Sequence, residues 1–163
     1  MSKYDNRGQK TFLILSSIFI ASLVACNLIF QKFFYFDIYT AVLPLSVGLL
    51  PYPITFLVTD IISEIYGKKR ANEVVFSGFF ASIFIILIIL LADFFAATEW
   101  SPVDDATFSK VFGLAGPAVF ASMCAYLLAQ FIDIRIFHFL KKATQGKHFW
   151  LRNNYSTLFS QII

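Results

Sequence analysis

Apolar residues gather into long runs, and nearly all the charges lie in the connections between them. The first run, residues 12–30, holds nineteen residues without a charge, about 28 Å of helix at 1.5 Å per residue. A second, interrupted run covers 41–66. The third, 74–97, meets no charge before Asp93, and the fourth, 111–132, ends just before Asp133. A fifth begins near Tyr155 and reaches Ile163 after nine residues, about 13 Å of helix against a hydrocarbon core of ~30 Å. The pattern predicts an all-α, polytopic transmembrane helical bundle: one domain over 1–163, with four complete spans and the start of a fifth helix that the chain leaves incomplete.

The second run departs from a plain span. Gly48 and Pro51 discourage regular helix, and Pro53 suits a first helical position. A helix from Pro53 to Tyr66 would be about 21 Å long, too short to cross alone. The span therefore reads as broken by its prolines. An ordinary proline kink is one account. The other is unwound backbone, which membranes tolerate only against protein or a polar cavity and which marks solute sites in transporters.

Composition agrees with a membrane protein and narrows the alternatives. Apolar residues make up 58% and charged residues 14%, against roughly 45–50% and 25% in soluble domains; mean hydropathy is +0.73. A disordered chain, a collagen-like repeat and a disulfide scaffold are excluded, and a water-soluble enzyme is disfavoured. Cys26 and Cys124 lie inside apolar runs, so neither disulfide nor zinc spacing applies. The net charge of +3 does not indicate nucleic acid, because ten of thirteen cations fall in alternate connections: Lys3, Arg7 and Lys10; Lys68, Lys69 and Arg70; Lys141, Lys142, Lys147 and Arg152. The positive-inside rule then puts the N-terminus and the 67–73 and 140–153 connections in the cytoplasm. Trp100 and Trp150 suit interfacial anchors at opposite ends of spans. Residues 23–26, Leu-Val-Ala-Cys, look like a lipoprotein processing site, but further membrane runs lie beyond them in place of a soluble domain, so the segment counts as the first span.

Ionisable groups at membrane depth cost roughly 2.5–3.5 kcal/mol each, so they are candidates for function. Asp60 and Glu64, four apart, share a helical face, as do Tyr126, Gln130 and Asp133 on the fourth span. In the fifth segment Asn153, Thr157 and Gln161 share one face, and Asn153, Ser156 and Ser160 another. Asp60, Asp133, Ser160 and Gln161 each lie eight or nine residues from the cations at the cytoplasmic end, about 12–14 Å in, near midplane. Interhelical hydrogen bonding accounts for Thr55, Ser156 and Thr157. The two carboxylates and two amides at one level favour a ligand site. Arg135 is expected either to snorkel to the cytoplasmic surface or to pair with Glu64.

Three segments carry a family resemblance: Tyr52-Pro53-Ile54-Thr55-Phe56 leading into Thr59-Asp60 and Glu64-Ile65-Tyr66-Gly67; Ala125-Tyr126 with Gln130 and Asp133; and Trp150-Leu151-Arg152-Asn153-Asn154 with Ser156-Thr157 and Ser160-Gln161. Together they resemble the bacterial queuosine-precursor transporters of the vitamin-uptake-transporter family, over Tyr52 to the end; the first span matches only as a hydrophobic helix. The resemblance implies a six-helix, multi-pass inner-membrane importer of 7-cyano- and 7-aminomethyl-7-deazaguanine. It implies a purine-like substrate, surrounding lipid, no cofactor, no metal and no nucleic acid, with a homo-oligomer or an energising partner both compatible. The expected substrate residues are Asp60, Glu64, Tyr126, Gln130, Asp133, Asn153, Asn154, Ser160 and Gln161. A carboxylate such as Asp133 can accept the paired N–H donors of a guanine-like edge, amides suit its acceptors, and Tyr126 or Phe56 suits its flat face. Asp60 is the alternative contact to the base, or the holder of a coupling proton. Two rival functions are weighed. An intramembrane enzyme lacks a zincin pair, a nucleophile elbow or a P-loop here. A substrate-binding subunit driven by a separate energising module would reveal itself by co-purifying with an ATPase.

Overall fold

A computed structural model describes residues 6–38, 41–113, 116–145 and 147–160. The elements run α1 (Asn6–Ile29), β1 (Phe33–Ile38), β2 (Ala41–Ser46), a 3-10 turn (Val47–Leu49), α2 (Tyr52–Ile65), α3 (Lys68–Asp93), α4 (Asp105–Phe112), α5 (Gly116–Ala143) and α6 (Phe149–Ser160). Four helical stretches are long and apolar enough to cross a membrane: α1, Val47–Ile65, α3 and Ser122–Ala143 within α5. The protein is thus an all-α polytopic bundle. The second span is interrupted, its 3-10 turn meeting α2 at Leu50-Pro51.

Several boundaries differ from expectation. The start of the second run, Ala41–Ser46, is not helix but the second strand of a hairpin, pairing antiparallel with Phe33–Ile38 from Phe33 opposite Ser46 to Ile38 opposite Ala41. Aromatic and β-branched residues favour that pairing, and Pro44 is tolerated because a two-stranded ribbon has only edges. The hairpin is fastened to the end of α1: Ser46 Oγ donates to Phe30 O at 2.6 Å, and Val47 N to Lys32 O at 2.7 Å. The fourth run opens on the last two residues of the short α4 and then forms a long α5 that continues to Ala143. The fifth helix begins at Phe149, not near Tyr155, so Lys141 and Arg152 are helical residues and not loop cations.

The core lies where α1, α2, α3 and α5 meet, around Phe19, Leu23, Val58, Ile62, Val75 and Ile134. Gly78 permits the approach of α3 to α1, since a Cβ there would stand 2.6 Å from the Phe19 ring and 3.0 Å from Leu23 Cδ2. Gly67, at φ +85°, turns α2 into α3 within two residues, a conformation that favours glycine. Outward faces stay apolar, as at Leu13, Phe80, Phe84 and Leu91, the pattern lipid requires.

Two contacts collect three chain segments at one end of the bundle. Tyr66 Oη donates to Gly8 O at 2.7 Å, and Lys141 Nζ lies 3.0 Å from Glu64 Oε2. The twenty-six residues of α3 carry the chain about 39 Å away from that end. At the far end Asp104 caps α4 by accepting from Thr107 N at 2.8 Å, and the Thr107 side chain together with that N–H holds its carboxyl below the usual range. Ser109 Oγ donates to Asp93 Oδ1 at 2.5 Å, tying α4 to the end of α3.

Candidate functional site

Polar side chains from three helices meet inside the bundle. On α2, Thr55, Thr59 and Asp60 are fully buried; on α5, Gln130 and Asp133; on α6, Arg152, Ser156 and Ser160. The α2 and α5 groups follow the predicted faces. The buried stripe of α6 is Arg152, Ser156 and Ser160, at i, i+4 and i+8, with Asn153 and Thr157 half-buried beside it.

An amide organises the upper layer. Gln130 Nε2 donates to Tyr126 Oη at 2.8 Å and to Thr55 Oγ1 at 3.4 Å, using both its protons. Its Oε1 lies 3.2 Å from the Thr59 hydroxyl, which also reaches the carbonyls of Thr55 and Phe56. The Tyr52, Phe56 and Tyr126 rings cluster beside it, with centroids 5.2, 5.8 and 6.1 Å apart, the tilted and edge-on geometry aromatic rings prefer.

One layer deeper stand the two carboxylates. Asn153 Nδ2 donates to Asp60 Oδ2. Asp60 and Asp133 stand close enough for each carboxyl to act on the other, with Ser156 beside both and Thr157 beside Asp133. Even so, Asp60 Oδ1 and both Asp133 oxygens lack a well-aligned hydrogen bond among the described residues.

A third layer is ionic. Glu64 Oε2 lies 3.0 Å from Lys141 Nζ and 3.1 Å from Arg152 Nη2. Arg152 is fully buried, its guanidinium 5.2 Å from the Phe137 ring centroid and 5.9 Å from that of Phe149. Such weakly hydrated, planar cations suit buried pairing and ring faces. Glu64 therefore takes its partners from Lys141 and Arg152; Arg135 is exposed. The burial of Arg152 escaped sequence reasoning because a cation near a span end reads as topology.

Beside the upper layer lies a cavity of about 710 Å³, walled by residues from every long helix and the turn after α1, among them Asn27, Gln31, Tyr52, Ser122, Tyr126 and Ser160. Of the expected residues, Tyr126 and Ser160 line it, while Gln130, Asp133 and Asp60 stand behind the wall. Asn153 reaches Asp60, and Asn154 instead donates to Trp150 O at 2.8 Å within its own helix. Gln161 lies outside the described residues. Sequence reasoning missed the contribution of the end of α1 and the turn that follows it. The signal was Asn27, an amide inside an otherwise apolar stretch, with Gln31 just beyond it, and Asn27 Nδ2 also donates to Ser82 Oγ of α3 at 3.3 Å.

Four apolar spans packed around buried carboxylates, amides and a cavity define a polytopic helical membrane protein. The chain belongs to the family described as "Putative vitamin uptake transporter", whose profile matches residues 46–163. It is 27% identical over 131 residues to the "Queuosine precursor transporter" of Escherichia coli strain K12, covering 76% of this chain and 56% of that protein. It is 25% identical over 115 residues to the "Probable queuosine precursor transporter" of Haemophilus influenzae, covering 71% and 46%. The chain thus spans about half the length of the curated relatives it matches. These proteins are named for transport, not catalysis. No solved structure matches the chain.

Proposed function

We propose that this protein serves the import of queuosine precursors, 7-cyano- and 7-aminomethyl-7-deazaguanine, across the bacterial inner membrane, with its N-terminus in the cytoplasm. The observation that carries the reading is the cavity of about 710 Å³, whose largely apolar wall includes the rings of Tyr52 and Tyr126 and the polar groups of Asn27, Gln31, Ser122 and Ser160. Its size falls in the range of small-molecule sites, roughly 300–1,000 Å³. A flat bicyclic base would set its face against Tyr52 or Tyr126. Its donors and acceptors would meet Asn27, Gln31, Ser122 and Ser160, groups able to do both. The names of the two curated relatives support the same class of solute.

Orientation rests on the cations at the end where Gly8, Glu64 and Lys141 meet. Counted from Lys68, Asp60 stands about 12 Å inside that end, near midplane of a ~30 Å core. The test is uptake. The complete gene product, expressed in cells that cannot make these precursors, should restore queuosine in tRNA when either 7-deazaguanine is added. Failure to do so at normal membrane expression would count against the assignment.

A further inference from the structure

We propose that Asp60 and Asp133 form a proton-binding pair that drives transport, lying behind the ligand cavity and not within it. This rests on the importer reading above and adds its coupling ion.

The first argument is burial without a counter-charge. Both side chains are fully buried, on different helices, and close enough for each carboxyl to act on the other. The groups facing them are Asn153, Ser156 and Thr157, all neutral. Among the described residues no cation compensates: Lys141 and Arg152 hold Glu64 on the next turn of α2, and His138 belongs to that ionic layer. Neither α1 beyond Lys10 nor α3 between Glu73 and Asp93 carries a charge. Two ionised carboxylates side by side in so apolar a site repel strongly and have each lost their water, so such pairs hold a shared proton.

The second argument is the unused bonding capacity. Among the described residues, three of the four carboxylate oxygens lack a well-aligned partner although both side chains are closed to solvent, and a buried acceptor left unmade is costly. A proton between the carboxyls turns one acceptor into a donor and satisfies the other. The third argument is position. Tyr126 on the cavity wall bonds to Gln130, and Gln130 faces Thr59. Thr59 directly precedes Asp60 in the chain, and Gln130 stands three residues before Asp133 on the same face of α5. Ligand in the cavity therefore bears on the pair through Tyr126 and Gln130 and through the α2 and α5 turns that carry Thr59 with Asp60 and Gln130 with Asp133.

At rest the pair holds one proton and a single negative charge. It takes a second proton from outside with each ligand molecule and becomes neutral, then returns that proton to the cytoplasm. Only protons are exchanged, and no bond between heavier atoms changes. Removing the charge matters because a helix interface carrying a bare carboxylate resists passage through hydrocarbon.

Two measurements on the complete protein in lipid test this. Infrared spectra at neutral pH should contain the carbonyl stretch of a protonated carboxylic acid that the Asp60→Asn/Asp133→Asn double variant lacks. In proteoliposomes, labelled 7-cyano-7-deazaguanine should accumulate under an acid-outside gradient, and Asp133→Asn should retain counterflow while accumulation falls to equilibration. A missing infrared band would overturn the inference. So would accumulation driven by a sodium gradient, or a folded Asp133→Asn that no longer binds the probe, which would make that carboxylate a ligand contact. A wild-type protein with the band but no counterflow would refute the choice of solute while sustaining the proton pair.

Discussion

Glu64 is contacted by two cations of different standing. Lys141 and Glu64 each keep about a third of their side chains exposed (30% and 30%), whereas Arg152 is fully enclosed. An exposed pair contributes about 0–1 kcal/mol, but removing the partner of an enclosed charge costs about 3–5 kcal/mol. Glu64→Gln should therefore destabilise the protein by about 3 kcal/mol, read as a lower apparent melting temperature in detergent, and Lys141→Ala by about 1 kcal/mol or less. Equal losses in the two variants would mean that Arg152 is not held by this carboxylate. At this scale the sequence was readable where spacing decides the face: Gln130 and Asp133 are buried together as their three-residue separation predicts. It was not readable for Arg152, because its role depends on Glu64, eighty-eight positions earlier, and no local pattern encodes that meeting.

Among elements, α1 and α3 approach each other closely at Gly78. Phe19 is fully buried and cannot swing away from a side chain placed at Gly78. Gly78→Ala should cost about 1–3 kcal/mol through overpacking. Phe80→Ala, on the outward face of the same helix, should change the melting temperature little. A melting temperature unchanged in both would show that the helices separate freely there. The four spans were legible because hydrocarbon demands some twenty apolar residues and the chain supplies them. The hairpin was not, although Phe33–Ile38 is rich in strand-favouring aromatics. Apolar content alone cannot tell a ribbon from the end of a helix, and the two-sided exposure of Tyr35 and Phe36 leaves no alternation to read.

For the molecule as a whole, the two ends differ in charge and in form: basic turns at one, the hairpin and α4 at the other. In intact cells, a cysteine at Asp104 should react with a membrane-impermeant thiol reagent, and cysteines at Lys69 or Lys147 should not; the reverse pattern would invert the topology. All three positions are exposed, so sidedness alone governs the outcome. The same layout has a consequence in time. Ribosomes deliver α2 long before α5 and α6, so Asp60 and Glu64 enter the translocon before Asn153, Lys141 and Arg152 exist. With a mean hydropathy of 1.2, against 2.4 for α1 and 3.0 for α3, the span that contains α2 is the weakest of its neighbours at partitioning into lipid unaided. Its carboxylates must wait against α1 and α3 until α5 and α6 arrive, so the polar centre of the bundle closes later than the apolar helices that frame it.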